Sequence, residues 1–372
     1  MSSPHFHYID SQDAFDQCLQ ALGSAPYLAV DTEFMRSDTF FPQPALIQLS
    51  AQDDIFLIDP VAIGDMTALA VLMQNEGIVK IMHSCSEDLD VFRVLLGVLP
   101  TPVFDTQLAA AFCGLDYSMS YQRLVDAVLG KHVTKDETRS DWLQRPLSDT
   151  QKAYAADDVL WLPALYGHLQ QRLDELQRGA WLQEDCSRLL VQAELSQDVS
   201  RYYLRVKAAG RASPRQLAIL QALSAWRETM AREMNVPRGR VVQDSALIEI
   251  MNESPRNKSA LSAIKTLRPS ELRRFGDQLL TGIEQGWACA DHELPATLPF
   301  MHSDKDKKRY KQIKSLVNKT AEELALPAEL LGRRRDIEAL IKPSAALGSA
   351  LNEGWRYQLL GEHIAGLASP QG

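Results

Sequence analysis

Short apolar runs mark the first part of the chain. Tyr27-Leu-Ala-Val30 and the stretches near 45–50, 55–58 and 79–82 have the length and flanks of buried strands. The period changes after Pro146. Ser148, with Gln151 three residues on, predicts an N-cap with a capping box. Leu160, Leu162, Leu165, Leu169 and Leu173 then recur at helical spacing, which predicts a helix running to about Gln177. Beyond residue 200 the pattern is helical throughout. Gly210 is placed to end one helix, and Ser213-Pro214 offers a cap and a first-turn proline for the next. Leu217, Leu220, Leu223 and Trp226 continue that helix.

Three groups of polar residues interrupt the apolar pattern. The first strand ends in Asp31-Thr-Glu33. Side chains alternate along a strand, so Asp31 and Glu33 share a face and can share a metal ion. A solvated strand end before a turn explains the pair as readily. The strand at 79–82 leads into His83-Ser-Cys-Ser-Glu-Asp-Leu-Asp90. Ser84 or Ser86 is a candidate cap for a helix starting near Glu87, whose first turn favours acidic residues. Spacing does not say which of Glu87, Asp88 and Asp90 turns inward, and His83 fits a structural role as well as a substrate contact. In the long helix, Tyr154 and Asp158 are four residues apart and share one face. A plain structural hydrogen bond between them is the bland reading. Asp157 points about 100° away, towards solvent. Carboxylates grouped without a Cys/His cluster suit two hard divalent cations, and such a pair of ions serves phosphodiester cleavage.

The chain resembles the DEDD exonuclease superfamily, and within it the ribonuclease D family. The resemblance rests on Val30-Asp-Thr-Glu-Phe34, Ala45-Leu-Ile-Gln-Leu49 and Lys80 to Phe92. It continues through Phe104-Asp-Thr-Gln-Leu-Ala-Ala-Ala-Phe112, Arg139-Ser-Asp-Trp142, Arg145-Pro-Leu147 and Tyr154-Ala-Ala-Asp-Asp158. It implies that Asp31, Glu33, Asp88 and Asp158 bind two divalent metal ions, Mg²⁺ or Mn²⁺, and it singles out Asp88 among its acidic neighbours. Tyr154 marks the tyrosine branch and would orient the attacking water, while Asp88 would act through water. The expected reaction is 3′→5′ hydrolysis of RNA to nucleoside 5′-monophosphates, with 3′ ends of tRNA precursors and other structured RNAs as substrates. Phe34 and Met35, beside the acids, are candidates to pack on the terminal base, because stacking tolerates any base. His83 and, in a loop over residues 133–142, Lys135, Arg139 and Trp142 are further candidate substrate contacts. The expected fold is an α/β ribonuclease-H-like core with a mixed central sheet, followed by two all-α domains.

Charge divides along the chain. Residues 1–200 hold 12 Lys+Arg and 29 Asp+Glu, and residues 201–372 hold 27 and 19. The overall −9 therefore hides an acidic half of −17 and a basic half of +8. An acidic half that needs cations joined to a basic half that can hold phosphates fits a metal nuclease with an accessory nucleic-acid-binding region. The most basic stretch is Asp304 to Lys314. Five scattered cysteines, with no C-x-x-C pair, argue against a zinc site or a disulfide framework and for a reducing cytoplasm. The start has neither the basic nor the apolar region of a signal peptide. No apolar run has the roughly 20 residues that span a bilayer, so no membrane is expected. No obligate protein partner is evident.

A weak repeat organises the basic half. Met230 to Pro237 is echoed by Thr320 to Pro327, 90 residues later. Both segments resemble the helicase-and-RNase-D C-terminal (HRDC) domain, the second in degenerate form. The expected domains are residues 1–195 for the exonuclease, 211–290 for the first HRDC domain and 300–372 for the second. Two other functions compete: a 3′→5′ DNA exonuclease, since a metal site sees only phosphate, and an inactive RNA-binding scaffold.

Overall fold

The computed structural model describes residues 5–52, 54–133, 140–207, 209–299, 303–342 and 348–368. Six strands form one mixed sheet: β1 (His7–Ile9), β2 (Tyr27–Met35), β3 (Gln43–Ala51), β4 (Asp54–Ile58), β5 (Val79–Met82) and β6 (Val103–Asp105), in the order β1-β4-β3-β2-β5-β6. β2 is antiparallel to β3 and parallel to β5. The four expected strands are present. The three-residue strands β1 and β6 on the two edges were not foreseen, because three residues are too few to show an alternation.

Helices cover both faces. They are α1 (Gln12–Leu22), α2 (Thr67–Gln74), α3 (Ser86–Leu96), α4 (Thr106–Phe112), α5 (Tyr121–Leu129), α6 (Asp149–Leu160), α7 (Leu162–Leu176) and α8 (Gly179–Leu195). On one face Leu28 and Val30 of β2 join Ile47 and Leu49 of β3 in a core with Phe15, Leu69, Leu89 and Phe92. On the other face α6 packs on β2, β3 and β4. The acids of β2 point to this second face, between sheet and helix.

Two helix readings are corrected. The single helix expected from Ser148 to about Gln177 breaks at Trp161, which caps both α6 and α7. Pro163 explains the break, since it has no N–H and its ring clashes with the carbonyl four residues back. Tyr121 holds the joint: its hydroxyl donates to the Asp157 carbonyl and accepts the Trp161 N–H. The capping box at Ser148 and Gln151 is present as expected. Neither Ser84 nor Ser86 caps α3. Ser84 has a left-handed backbone (φ 57°), and Cys85 occupies the cap position without a side-chain cap bond. The Cys85 N–H donates instead to Asp105, which also caps α4.

An ion pair anchors the segment before α6. The Arg145 guanidinium meets both oxygens of buried Asp59 at 2.6 Å, and Tyr8 donates its hydroxyl to the same carboxylate. Arg145 also donates to the Ala45 carbonyl, where the β2–β3 register shifts beside Glu33 and Phe34. Removing one member of a buried pair strands the other charge, so Arg145→Ala should lose about 3–5 kcal/mol. Urea unfolding of the two proteins measures this, and a loss below about 1 kcal/mol, the level of a surface pair, would contradict it.

The chain divides into two compact units. One comprises Met1–Ser37, Phe41–Ala193 and Glu322–Leu330; the other comprises Asp38–Phe40, Glu194–Ala321 and Leu331–Gly372. The second is helical: α9 (Pro214–Glu233), α10 (Arg238–Val241), α11 (Asp244–Glu253), α12 (Lys258–Leu261) and α13 (Pro269–Ala288) precede α14 (Asp304–Glu323), whose last two residues fall in the first unit together with most of α15 (Ala328–Leu331), and α16 (Arg334–Ile341) and α17 (Gly354–Ala368) follow. Ser213 caps α9 as expected. α9 and α13 cross closely: a Cβ on Gly286 would lie 2.4 Å from Ile219 Cα, so only glycine fits there. The sequence repeat has a structural echo. Asn235 and Ala325, both at φ 48°, end α9 and α14, and each is followed by one short helix and one longer helix.

Candidate active site

β2 carries Asp31 and Glu33 out of the sheet on the face that α6 covers. α6 presents Tyr154 and Asp158 from one side, and its capping box sets where the helix begins. One carboxylate oxygen each from Asp31, Glu33 and Asp158 lies within 4.8 Å of the others. All three residues are half-buried. The Tyr154 hydroxyl, one helical turn before Asp158 on α6, lowers the Asp158 carboxyl. Asp88 enters from the first turn of α3, after β5, the parallel neighbour of β2. It is buried and stands outside the tight triplet. The Thr32 hydroxyl donates to its Oδ1 at 2.5 Å, and its charge is felt by Asp31 and Glu33.

This crowding of negative charge shapes the chemistry. Burial raises the Asp31 carboxyl well above the carboxylate range, and the charges of Asp88, Asp158 and Glu33 raise it further. Burial, then Asp158 and Asp88, pushes Glu33 up to about 9. Burial pushes Asp88 and Asp158 up to about 7, against the lowering influence of the Thr32 hydrogen bond and of the Tyr154 hydroxyl respectively. Acids held so far above their free values need compensating positive charge to ionise together. Hard oxygen donors at this spacing suit divalent cations. Burial also raises the Tyr154 hydroxyl, and the nearby carboxylates raise it further.

These shifts fix the sign of a pH effect. A carboxyl whose folded pKa is raised stabilises the protein below its free value, and that contribution is lost as pH rises through the folded value. The metal-free protein should therefore lose stability as pH climbs through about 7, for Asp88 and Asp158, and again through about 9, for Glu33. A divalent cation such as Mg²⁺ would take the place of the missing protons, so adding it should raise the melting temperature at about pH 8.5 and change it little at about pH 5. Scanning calorimetry with and without Mg²⁺ reads this out. An equal Mg²⁺ effect at both pH values would sink the explanation.

The other candidates fall out differently. Phe34 and Met35 follow Glu33 on β2 and are half-buried, beside the triplet. Both ring nitrogens of His83 sit on protein partners, the Thr106 hydroxyl at 2.9 Å and the Met119 carbonyl at 3.1 Å. Lys135 and Arg139 lie outside the described residues. Trp142 is corrected: it was expected in a loop that meets RNA, but it is 2% exposed and its ring lies 6.0 Å from that of Tyr154. So little open surface leaves no face for a base. Asp157, expected in solvent, is half-buried, and burial raises its carboxyl. The sequence reading passed over Thr32 and Asp59. Thr32 sits between two acids already singled out, so its position was the available signal. The Asp59 contact bridges 86 residues and had none.

Comparison with known proteins places the chain in a family. Residues 6–174 match a 3′-5′ exonuclease family, residues 216–283 the HRDC domain, and residues 305–364 the ribonuclease D C-terminal HRDC domain. The chain is 40% identical to ribonuclease D of Pseudomonas paraeruginosa over 369 residues, covering 98% of each chain. It is 33% identical to that of Escherichia coli, again over 98% of each. The crystal structure of Escherichia coli RNase D, an exoribonuclease involved in structured RNA processing, superposes with a TM-score of 0.88 at 32% identity, covering 98% of each chain. Fold and comparisons together define a 3′-5′ exonuclease carrying HRDC domains. The chain belongs to the ribonuclease D family and is an exoribonuclease hydrolase.

Proposed function

We propose that the chain trims RNA from its 3′ end by two-metal hydrolysis at Asp31, Glu33, Asp88 and Asp158, with tRNA precursors and other structured RNAs as substrates. The observation that carries this reading is the carboxylate triplet within 4.8 Å, with Tyr154 one helical turn from Asp158 on the same helix. Two divalent cations, Mg²⁺ or Mn²⁺, would supply the positive charge and the activated water that phosphodiester hydrolysis requires. Asp31, Glu33 and Asp158 would hold the cations directly, and Asp88, fixed by Thr32, would act through water. Tyr154 stays protonated because its pKa is raised, so it orients the attacking water rather than removing its proton. Phe34 and Met35 offer apolar surface to the last base, and sequence-independent trimming follows from such stacking.

The basic half serves the same end. We take residues 1–195 as the exonuclease domain and residues 211–290 and 300–372 as HRDC domains that hold the RNA backbone. Lys305, Lys307, Lys308, Lys311 and Lys314 are exposed along α14 and suit contacts to phosphate. Five unpaired cysteines agree with a cytoplasmic setting. Among the described residues no helix is long and apolar enough to cross a membrane.

A tRNA precursor with a 3′ extension tests the reading. Incubated with the protein and Mg²⁺, it should shorten one nucleotide at a time and release nucleoside 5′-monophosphates, identified by chromatography. Internal fragments, or 3′-phosphorylated products, would overturn it.

A further inference from the structure

Gln48 is a long polar side chain on the active-site face of the sheet that the mechanism above does not use. It lies on β3 directly opposite Asp31. Directly opposed residues of antiparallel strands project to the same face with their Cβ atoms about 5 Å apart. On that face Gln48 has Leu57 of β4 on its other side, and α6 packs across all three strands. The helix covers them with buried Ala155, Ala156 and Val159. Gln48 is 0% exposed, and neither its Oε1 nor its Nε2 has a hydrogen-bond partner. A buried carboxamide with no partner is costly. Leucine or methionine would fill the same space without that cost, so packing alone does not account for glutamine here.

We propose that Gln48 is a positioning residue for Asp31. When Asp31 is ionised, its carboxylate can only accept hydrogen bonds, and the Gln48 Nε2 is a donor within side-chain reach. Donation to one carboxylate oxygen fixes the rotation of the group and leaves the other oxygen aimed at the cation. Outer contacts of this kind set the orientation of metal-ligating groups in other proteins. The inference rests on the reading of Asp31 as a metal ligand.

Mn²⁺ binding to the full chain, measured by calorimetry, tests it with four proteins: wild type, Asp31→Asn, Gln48→Leu and Gln48→Met. Both Gln48 variants should melt at or above the wild-type temperature without metal, because an unpaired buried amide has been removed. Both should bind Mn²⁺ about 10–100-fold more weakly, and kcat should fall while KM for RNA holds. A folded Gln48 variant that binds Mn²⁺ as tightly as wild type overturns the proposal. So does misfolding of both variants, since that would show the amide to be structural. Equal binding by wild type and Asp31→Asn would instead remove the metal-site reading, so the two failures are distinguishable.

Discussion

Asp31→Asn should abolish exonuclease activity, by about 10³-fold or more, while leaving the fold intact. Burial raises the Asp31 carboxyl most, and the charges of Asp88, Asp158 and Glu33 all raise it further. It belongs to the tight triplet with Glu33 and Asp158. Asparagine keeps the shape and loses the charge, so the loss should lie in kcat and not in RNA binding. The same change relieves like-charge repulsion. At about pH 8.5 the metal-free variant should therefore be more stable than wild type, by about 1–2 kcal/mol. A variant that is less active and also less stable would point to a damaged fold. Enzyme assays and melting curves on the same preparations separate the two.

Tyr154→Phe should lower kcat by about 10²-fold and leave KM for RNA nearly unchanged. The ring packs beside Trp142, and phenylalanine keeps that contact. What is lost is the hydroxyl, which lowers the Asp158 carboxyl. Without it Asp158 should titrate higher, so the acidic limb of the pH–rate profile should move up as well as down in amplitude. A variant with full activity and an unmoved profile would reduce Tyr154 to a structural hydrogen bond. The raised pKa of the phenol argues that its role is to orient water, so the wild-type profile should show no limb near the ordinary tyrosine value of about 10.

Much of the site was legible because its geometry is local. Alternation along β2 put Asp31 and Glu33 on one face, and a four-residue spacing on α6 put Tyr154 and Asp158 on another. The Ser148 capping box fixed where that helix begins. The convergence of the two faces was not legible, since it depends on α6 packing across β2, β3 and β4. Asp88 could not be told from Glu87 and Asp90 by spacing. What singles it out physically is the Thr32 hydroxyl, 56 residues away in sequence. Trp142 misled for a similar reason: a tryptophan in a polar segment reads as exposed until the partner ring of Tyr154 is seen. The break at Trp161 was misjudged although Pro163 was visible, because the leucine period carries on across it. The long-range contacts of Arg145, and the place of Gln48 opposite Asp31, had no sequence signal beyond their position within longer motifs.

The central claim is that this acidic cluster, loaded with divalent metal, removes nucleotides from the 3′ end of RNA. A paired digestion tests it most directly. Wild type and Asp31→Asn each meet a 5′-labelled single-stranded RNA and the matching DNA, with Mg²⁺, with Mn²⁺ and with EDTA. The account predicts stepwise 3′ shortening of RNA by wild type in either metal, none in EDTA and none by the variant. The DNA lanes report how strictly the sugar is read, through contacts to the 2′-hydroxyl. Undiminished cutting in EDTA or by the variant would contradict the account, as would RNA that is bound but never shortened in any metal.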